Sequence, residues 1–211
     1  MGYVIRTNRR SGFFRIPDNG LGYYLGRKAA GRLWGQPFLI LFLLELGERW
    51  NSLPGNSPFG IGDIGEEDGR PMPDHNTHRF GSAVDLFIFH KHGLERNDRL
   101  NAVWVRDPNY DADRTLQFVK LIKEFSLRYG MQQILFNDDD VNRQANMIGS
   151  YPRVLHDRTT ANSKGQHEDH IHITFTGKAP YANREIVEML ESMTSPYDWE
   201  PGPRCHRYGD Y

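Results

Sequence analysis

Residues 167–173 read His-Glu-Asp-His-Ile-His-Ile. In a β-strand, side chains two positions apart share a face, so His170, His172 and Thr174 point one way while Ile171, Ile173 and Phe175 point into a core. Two imidazoles therefore leave an apolar strand together. Residues 83–89 read Ala-Val-Asp-Leu-Phe-Ile-Phe, and the same parity sets Asp85 with Phe87 on one face and Val84, Leu86 and Ile88 on the other. A carboxylate in the middle of such a strand is costly to bury unless it is paired or bound to a metal. His78 stands seven residues before it. Two His and one carboxylate with an open fourth position form the ligand set of a catalytic zinc site, in which the bound water's pKa falls to about 7. The competing reading has the strand histidines hydrogen-bonded to backbone or water and Asp85 facing solvent from an edge strand. It leaves the coincidence of the two clusters in one chain unexplained.

Outward from these stretches, the chain reads as α+β. Residues 37–51 open with Pro at a plausible first helical position and are apolar almost all round in their first half, which predicts a helix buried on most sides. Residues 113–129 place Phe118, Leu121, Ile122, Phe125 and Tyr129 on one 3.6-period face, with Gly130 as a stop, and predict a helix covering a sheet. Residues 182–193 predict a second amphipathic helix through Ile186, Met189, Leu190 and Met193. Strands are expected at 83–89, 131–136 and 170–176. Residues 1–35 read as hairpin or loop, and residues 196–211 as a C-terminal tail. With no repeat and no linker, 1–211 is expected to form one domain: a small central antiparallel sheet carrying the metal site, flanked by helices and long loops.

Composition narrows the chemistry. The chain has 211 residues, 26 basic against 27 acidic side chains and a formal net charge of -1, which gives no electrostatic footprint for nucleic acid. The apolar run 38–44 ends at Glu45, well short of the ~20 residues that span a bilayer. The N-terminal sequence shows no apolar h-region. Cys205 is the single cysteine, so neither an internal disulfide nor a thiolate zinc cluster is expected, and any metal must be held by His and carboxylates. The two histidines of His90-Lys91-His92 continue the parity of Leu86 and Ile88, opposite to Asp85, and read as surface at the strand's end. His156 and His206 have no local partner pattern. Asp138-Asp139-Asp140 lacks the spacing of a calcium loop and reads as a helix start. An iron oxygenase triad of His167, Asp169 and His206 would need a double-stranded β barrel, and a cupin would need a Glu soon after His170-x-His172. Neither suits a chain with long helices.

The two clusters resemble those of the penicillin-insensitive murein endopeptidases, within the wider group that joins lysostaphin-type peptidases, D-Ala-D-Ala metallopeptidases and hedgehog. That group's signature is His, six residues, Asp, and later His-x-His, and His78, Asp85 and His170-Ile171-His172 fit it. The family's first cluster, roughly Gly-His-x-Ser-His-Gln-x-Gly-x-x-Val-Asp, is similar to residues 74–85, and its second, roughly His-Asp-x-His-Phe-His-Val, to residues 167–173. Upstream Arg6-Thr-Asn-Arg-Arg, Ile61-Gly-Asp-Ile-Gly and the later Ile134-Leu-Phe-Asn137 also look similar. The resemblance implies one Zn2+ per chain held by His78, Asp85 and His172. It implies that His170 handles a proton or the oxyanion, and that His75 and His167 are further active-site histidines. Asp169 stands three residues before His172, where the D-Ala-D-Ala peptidases place a Glu base, which leaves the base open between His170 and Asp169. The implied substrate is peptidoglycan, cleaved at the D-alanyl to meso-diaminopimelyl cross-link, and the implied location is periplasmic or secreted. Family members carry a signal peptide and usually cysteines. A chain without either fits a trimmed protein, a secreted effector or a phage lysis protein. Arg79-Phe80 replaces the usual Gln after the ligand His. The alternatives are a D-Ala-D-Ala-type carboxypeptidase or dipeptidase of the same fold, or a non-catalytic zinc-bearing module that binds cell-wall peptide or a protein. A binding module has no need of His75, His167 and His170 beside a complete ligand set, whereas a hydrolase needs groups to move protons.

Overall fold

The computed structural model describes residues 5–8, 10–26, 31–72, 77–96, 101–149, 151–157, 167–176 and 183–193. In chain order the elements are β1 (Arg6–Asn8), β2 (Phe13–Arg15), β3 (Tyr23–Leu25), β4 (Trp34–Gly35), α1 (Pro37–Asn51), β5 (Phe59–Ile61) and β6 (Ala83–Phe87). They continue with α2 (Ala112–Glu124), α3 (Ser126–Tyr129), β7 (Met131–Leu135), α4 (Asp139–Asn146), β8 (Val154–Leu155), β9 (His170–Phe175) and α5 (Asn183–Ser192). The fold is α+β, as the sequence predicts.

β1, β2 and β4 form a small antiparallel sheet at the N-terminal end of α1. The main sheet has six strands in the order β3-β5-β6-β9-β7-β8. Its middle, β5-β6-β9-β7, is antiparallel, while β3 joins β5 and β8 joins β7 in parallel. The sheet is thus larger and more mixed than the small antiparallel one expected. β3 and β8, only three and two residues long, are too short to carry a period that a sequence could show.

One face of the sheet packs on α1. Its residues Phe38, Leu39, Ile40, Phe42, Leu43, Leu46 and Trp50 are all fully buried, because the helix lies between the sheet and the outer helices. Phe42 meets Phe175 of β9 at 5.3 Å and Tyr129 at 5.5 Å between ring centroids. Trp50 meets Phe118 of α2 at 4.9 Å. Burying each such aromatic side chain contributes on the order of 2–3 kcal/mol. The helix expected over 113–129 is broken at Phe125, where the backbone amide turns to Ile122 O and the chain restarts as α3. The break lets Phe125 and Tyr129 both reach Phe42, at 6.0 and 5.5 Å, from opposite sides of the interruption. Gly130 ends α3 in the left-handed conformation, φ 64°, as its position predicts.

The opposite face of β6 and β9 carries the polar side chains. β6 and β9 run antiparallel with Asp85 directly across from His172, Phe87 across from His170, and Val84 across from Ile173. This register turns two separate alternations into one shared polar face and one shared apolar face. A slip of one residue would put Asp85 among the isoleucines. Among the described residues, no helix is long and apolar enough to cross a membrane.

Candidate metal centre

The alternation read from residues 83–89 and 170–176 places Asp85 and His172 on neighbouring strands, and a loop delivers His78 to them. That loop is set by glycines. Gly81 has φ 59°, a Cβ on it would stand 2.8 Å from Gly35 Cα, and its carbonyl accepts from Gln36 N at 2.9 Å. Only a residue without a side chain lets the loop lie this close to β4. The stretch Ile61-Gly62-Asp63-Ile64 supplies the other wall: Asp85 N donates to Asp63 O at 3.0 Å, Gly62 N to Asp85 O at 2.8 Å, and His78 Nδ1 lies 3.0 Å from Ile64 O.

Asp85 Oδ1 is the centre of the group. His172 Nδ1 lies 2.8 Å from it, His78 Nε2 3.1 Å and His170 Nε2 3.6 Å. His78, Asp85 and His172 are 1, 5 and 2% exposed, and one donor atom from each falls within 4.8 Å of the others. Each of these two rings has its other nitrogen on an outer partner, Ile64 O for His78 and Thr174 Oγ1, at 3.2 Å, for His172. This is the arrangement that orients metal-bound imidazoles. It also exposes an electrostatic need. A carbonyl only accepts, so His78 must carry its proton on Nδ1, and the Nε2 lone pair of a neutral ring would then face the carboxylate oxygen. A cation must lie between them, either a second proton or a metal ion. Atoms about 2.0–2.2 Å from a zinc ion stand roughly 3.3 Å apart at tetrahedral angles, near the 2.8 and 3.1 Å that separate Asp85 Oδ1 from the two ring nitrogens. The buried set of N and O donors therefore fits a metal ion.

The charges follow. Burial works against the ionised form of Asp85, yet His78 and His170 beside it hold its carboxyl well below the usual range. Burial opposes protonation of His78 and His170, but the facing Asp85, joined at His170 by Asp169, raises both. His172 is lowered by burial. His167 is pushed down to about 4 by burial and by the nearby His170 and His172.

His170 and His167, expected near the site, are there. His170 Nδ1 lies 2.7 Å from Asp169 Oδ1, and the His167 ring stands 5.0 Å from that of His170 and 5.3 Å from that of His172 between centroids. Asp169 faces away from the donor atoms toward Arg96, whose Nη1 meets Asp169 Oδ2 at 2.9 Å. Asp169 thus braces His170. His75 lies outside the described residues, as does His206. His90 and His92 form an outward turn beyond β6, which ends at Phe87 rather than Phe89, and His156 is exposed. Asp138 caps α4 through Asp140 N and Val141 N, as a helix start should. Two residues with no sequence signal join the site. Arg96 lies over the Phe87 ring at 4.1 Å and reaches Asp169 from 73 positions away. Asp157 Oδ2 lies 2.9 Å from His167 Nδ1. Neither belongs to a motif, and only the tertiary fold brings them in.

A family model described as penicillin-insensitive murein endopeptidase matches residues 9–120, just over half of the chain. The matched segment carries His78 and Asp85. His167, Asp169, His170 and His172 lie beyond it and reach it through the β6–β9 pairing. No curated protein matches the chain.

Proposed function

This chain belongs to the penicillin-insensitive murein endopeptidases, and on that premise we propose that it is a zinc hydrolase of the peptide cross-links of peptidoglycan, with the D-alanyl to meso-diaminopimelyl bond as its target. The observation that supports the zinc reading most is the buried donor set: one ligand atom each from His78, Asp85 and His172 falls within 4.8 Å of the others, with His78 Nε2 3.1 Å from Asp85 Oδ1 and its Nδ1 directed to Ile64 O.

His78, Asp85 and His172 would hold the ion. Zinc in such a site polarises the scissile carbonyl and lowers the pKa of bound water to about 7. His170 lies beside the donors without being needed as one, and its raised proton affinity suits it to hydrogen-bond the oxyanion as charge develops there. Asp169 holds the His170 ring in one orientation, which favours His170 over Asp169 as the group that meets the substrate. His167 has the opposite character, a ring kept neutral by its surroundings and suited to accept a hydrogen bond. His75 is carried as a further active-site residue by the family resemblance alone. A peptide target also suits a centre built from histidines, since glycoside hydrolysis relies on a pair of positioned carboxylates. Such a substrate puts the work of the protein in the cell wall, in the periplasm or outside the cell.

The test is digestion of purified cross-linked muropeptides followed by mass spectrometry. Dimers should become monomers, the conversion should stop with a chelator, and it should return with zinc. Loss of terminal D-alanine from monomers with dimers intact would favour the carboxypeptidase reading, and release of reducing sugar without peptide cleavage would refute a peptidase.

A further inference from the structure

His167 is held in a way that its place in the sequence does not require. Its backbone has φ 57°, in the left-handed region that a non-glycine residue seldom adopts unless its surroundings enforce it. The surroundings here form a closed bracket of three hydrogen bonds. Asn137 N donates to His167 O at 2.8 Å, Asp157 N donates to Asn137 Oδ1 at 2.8 Å, and His167 Nδ1 lies 2.9 Å from Asp157 Oδ2. Asn137 follows β7, Asp157 follows β8 and His167 precedes β9, so the bracket ties together the ends of three neighbouring strands. Asp157 is 6% exposed, and a carboxylate that deep is costly unless a donor meets it.

The geometry points to Asp157 as a positioning residue that acts through His167, with Asn137 fixing both. An ionised carboxylate only accepts hydrogen bonds, so it draws the imidazole proton to Nδ1 and leaves Nε2 as the lone-pair side. With its ring 5.0 Å from His170 and 5.3 Å from His172, His167 then offers Nε2 as an acceptor for the O–H of water or the N–H of a peptide brought to the metal centre. A parallel arrangement stands beside it, in which Asp169, gripped by Arg96, meets His170 Nδ1. Each histidine next to the donor group therefore has its own buried or half-buried carboxylate, braced by a different third residue. Asp157 meets the centre through the His167 ring, as Asp169 does through that of His170, so its effect on the chemistry is expected to pass through the ring it holds.

The inference rests on the site being the hydrolytic centre, but its test does not need a substrate. In long-range 1H–15N correlation spectra of the metal-loaded protein, His167 should carry its proton on Nδ1, and in Asp157→Asn the Nε2–H form should grow. Wild-type His167 protonated on Nε2 would overturn the assignment whether or not the protein cleaves murein. On cross-linked muropeptides, Asp157→Asn should keep stoichiometric zinc and lose about 10²-fold in kcat with KM within about threefold. In a His167→Ala background the same change should cost nothing further. An equal loss in that background, or loss of zinc from the single variant, would show a structural role instead.

Discussion

On one face of the β6–β9 pair, Val84 and Leu86 meet Ile173 and Ile171; on the other, one residue along in each strand, Asp85 meets His172 and Phe87 meets His170. The backbone is the same for both. The apolar face is held by many weak contacts shared with α1 and α2, none of which depends on direction. The polar face depends on single atoms: Asp85 Oδ1 alone serves His172 and His78. One face should therefore bend under substitution and the other should break.

The largest effect is expected at the shared oxygen. Asp85→Ala removes a donor and leaves His78 and His172 facing each other, so zinc and activity should vanish together, activity by roughly 10⁴ or more, as read by metal analysis and muropeptide turnover. If Asp85→Ala keeps its metal while His170→Ala loses it, the roles on this face are misassigned. His170→Ala should instead keep near-stoichiometric zinc and lose about 10² to 10³ in kcat.

A smaller effect separates the faces by pH. Burial disfavours a charged His78, but Asp85 outweighs it and the ring holds its proton above its ordinary pKa of 6.5. A ligating ring must give that proton up. Zinc affinity measured by chelator competition should therefore climb about tenfold per pH unit for each proton displaced, and flatten once pH exceeds the raised value. Affinity that is flat from pH 6 to 8 would mean that His78 binds no proton for the metal to displace. The smallest effect belongs to the apolar face. Ile171→Val removes one methylene from a fully buried site and should cost about 0.5–1.5 kcal/mol, a drop of a few degrees in Tm, with zinc content and kcat unchanged. A variant there that altered turnover would show the two faces to be coupled.

The parity of the two strands was legible because each is long enough to show its period and each carries polar residues at alternate positions. α1 was legible from its continuous apolar run, and the Gly130 stop from the residue that only a left-handed turn favours. The order of the strands was not, because no local pattern states which strand pairs with which. Arg96 and Asp157 escaped for the same reason: an arginine 73 residues from its carboxylate and an aspartate after a two-residue strand look like any surface charge until the chain is folded. The break at Phe125 also escaped, since the apolar period runs through it and only the packing against Phe42 interrupts the helix.

Asp85 and His172 are 87 positions apart in the chain. An ion gripped by both would act as a reversible cross-link in a protein whose single cysteine rules out an internal disulfide. By the loop-closure relation used for disulfides, tying together so long a segment would disfavour the unfolded chain by about 4–5 kcal/mol, comparable to much of the net stability of an ordinary domain. The metal would then be a fastener as well as a reagent, and a chelator would loosen the sheet at the same stroke that silences the chemistry.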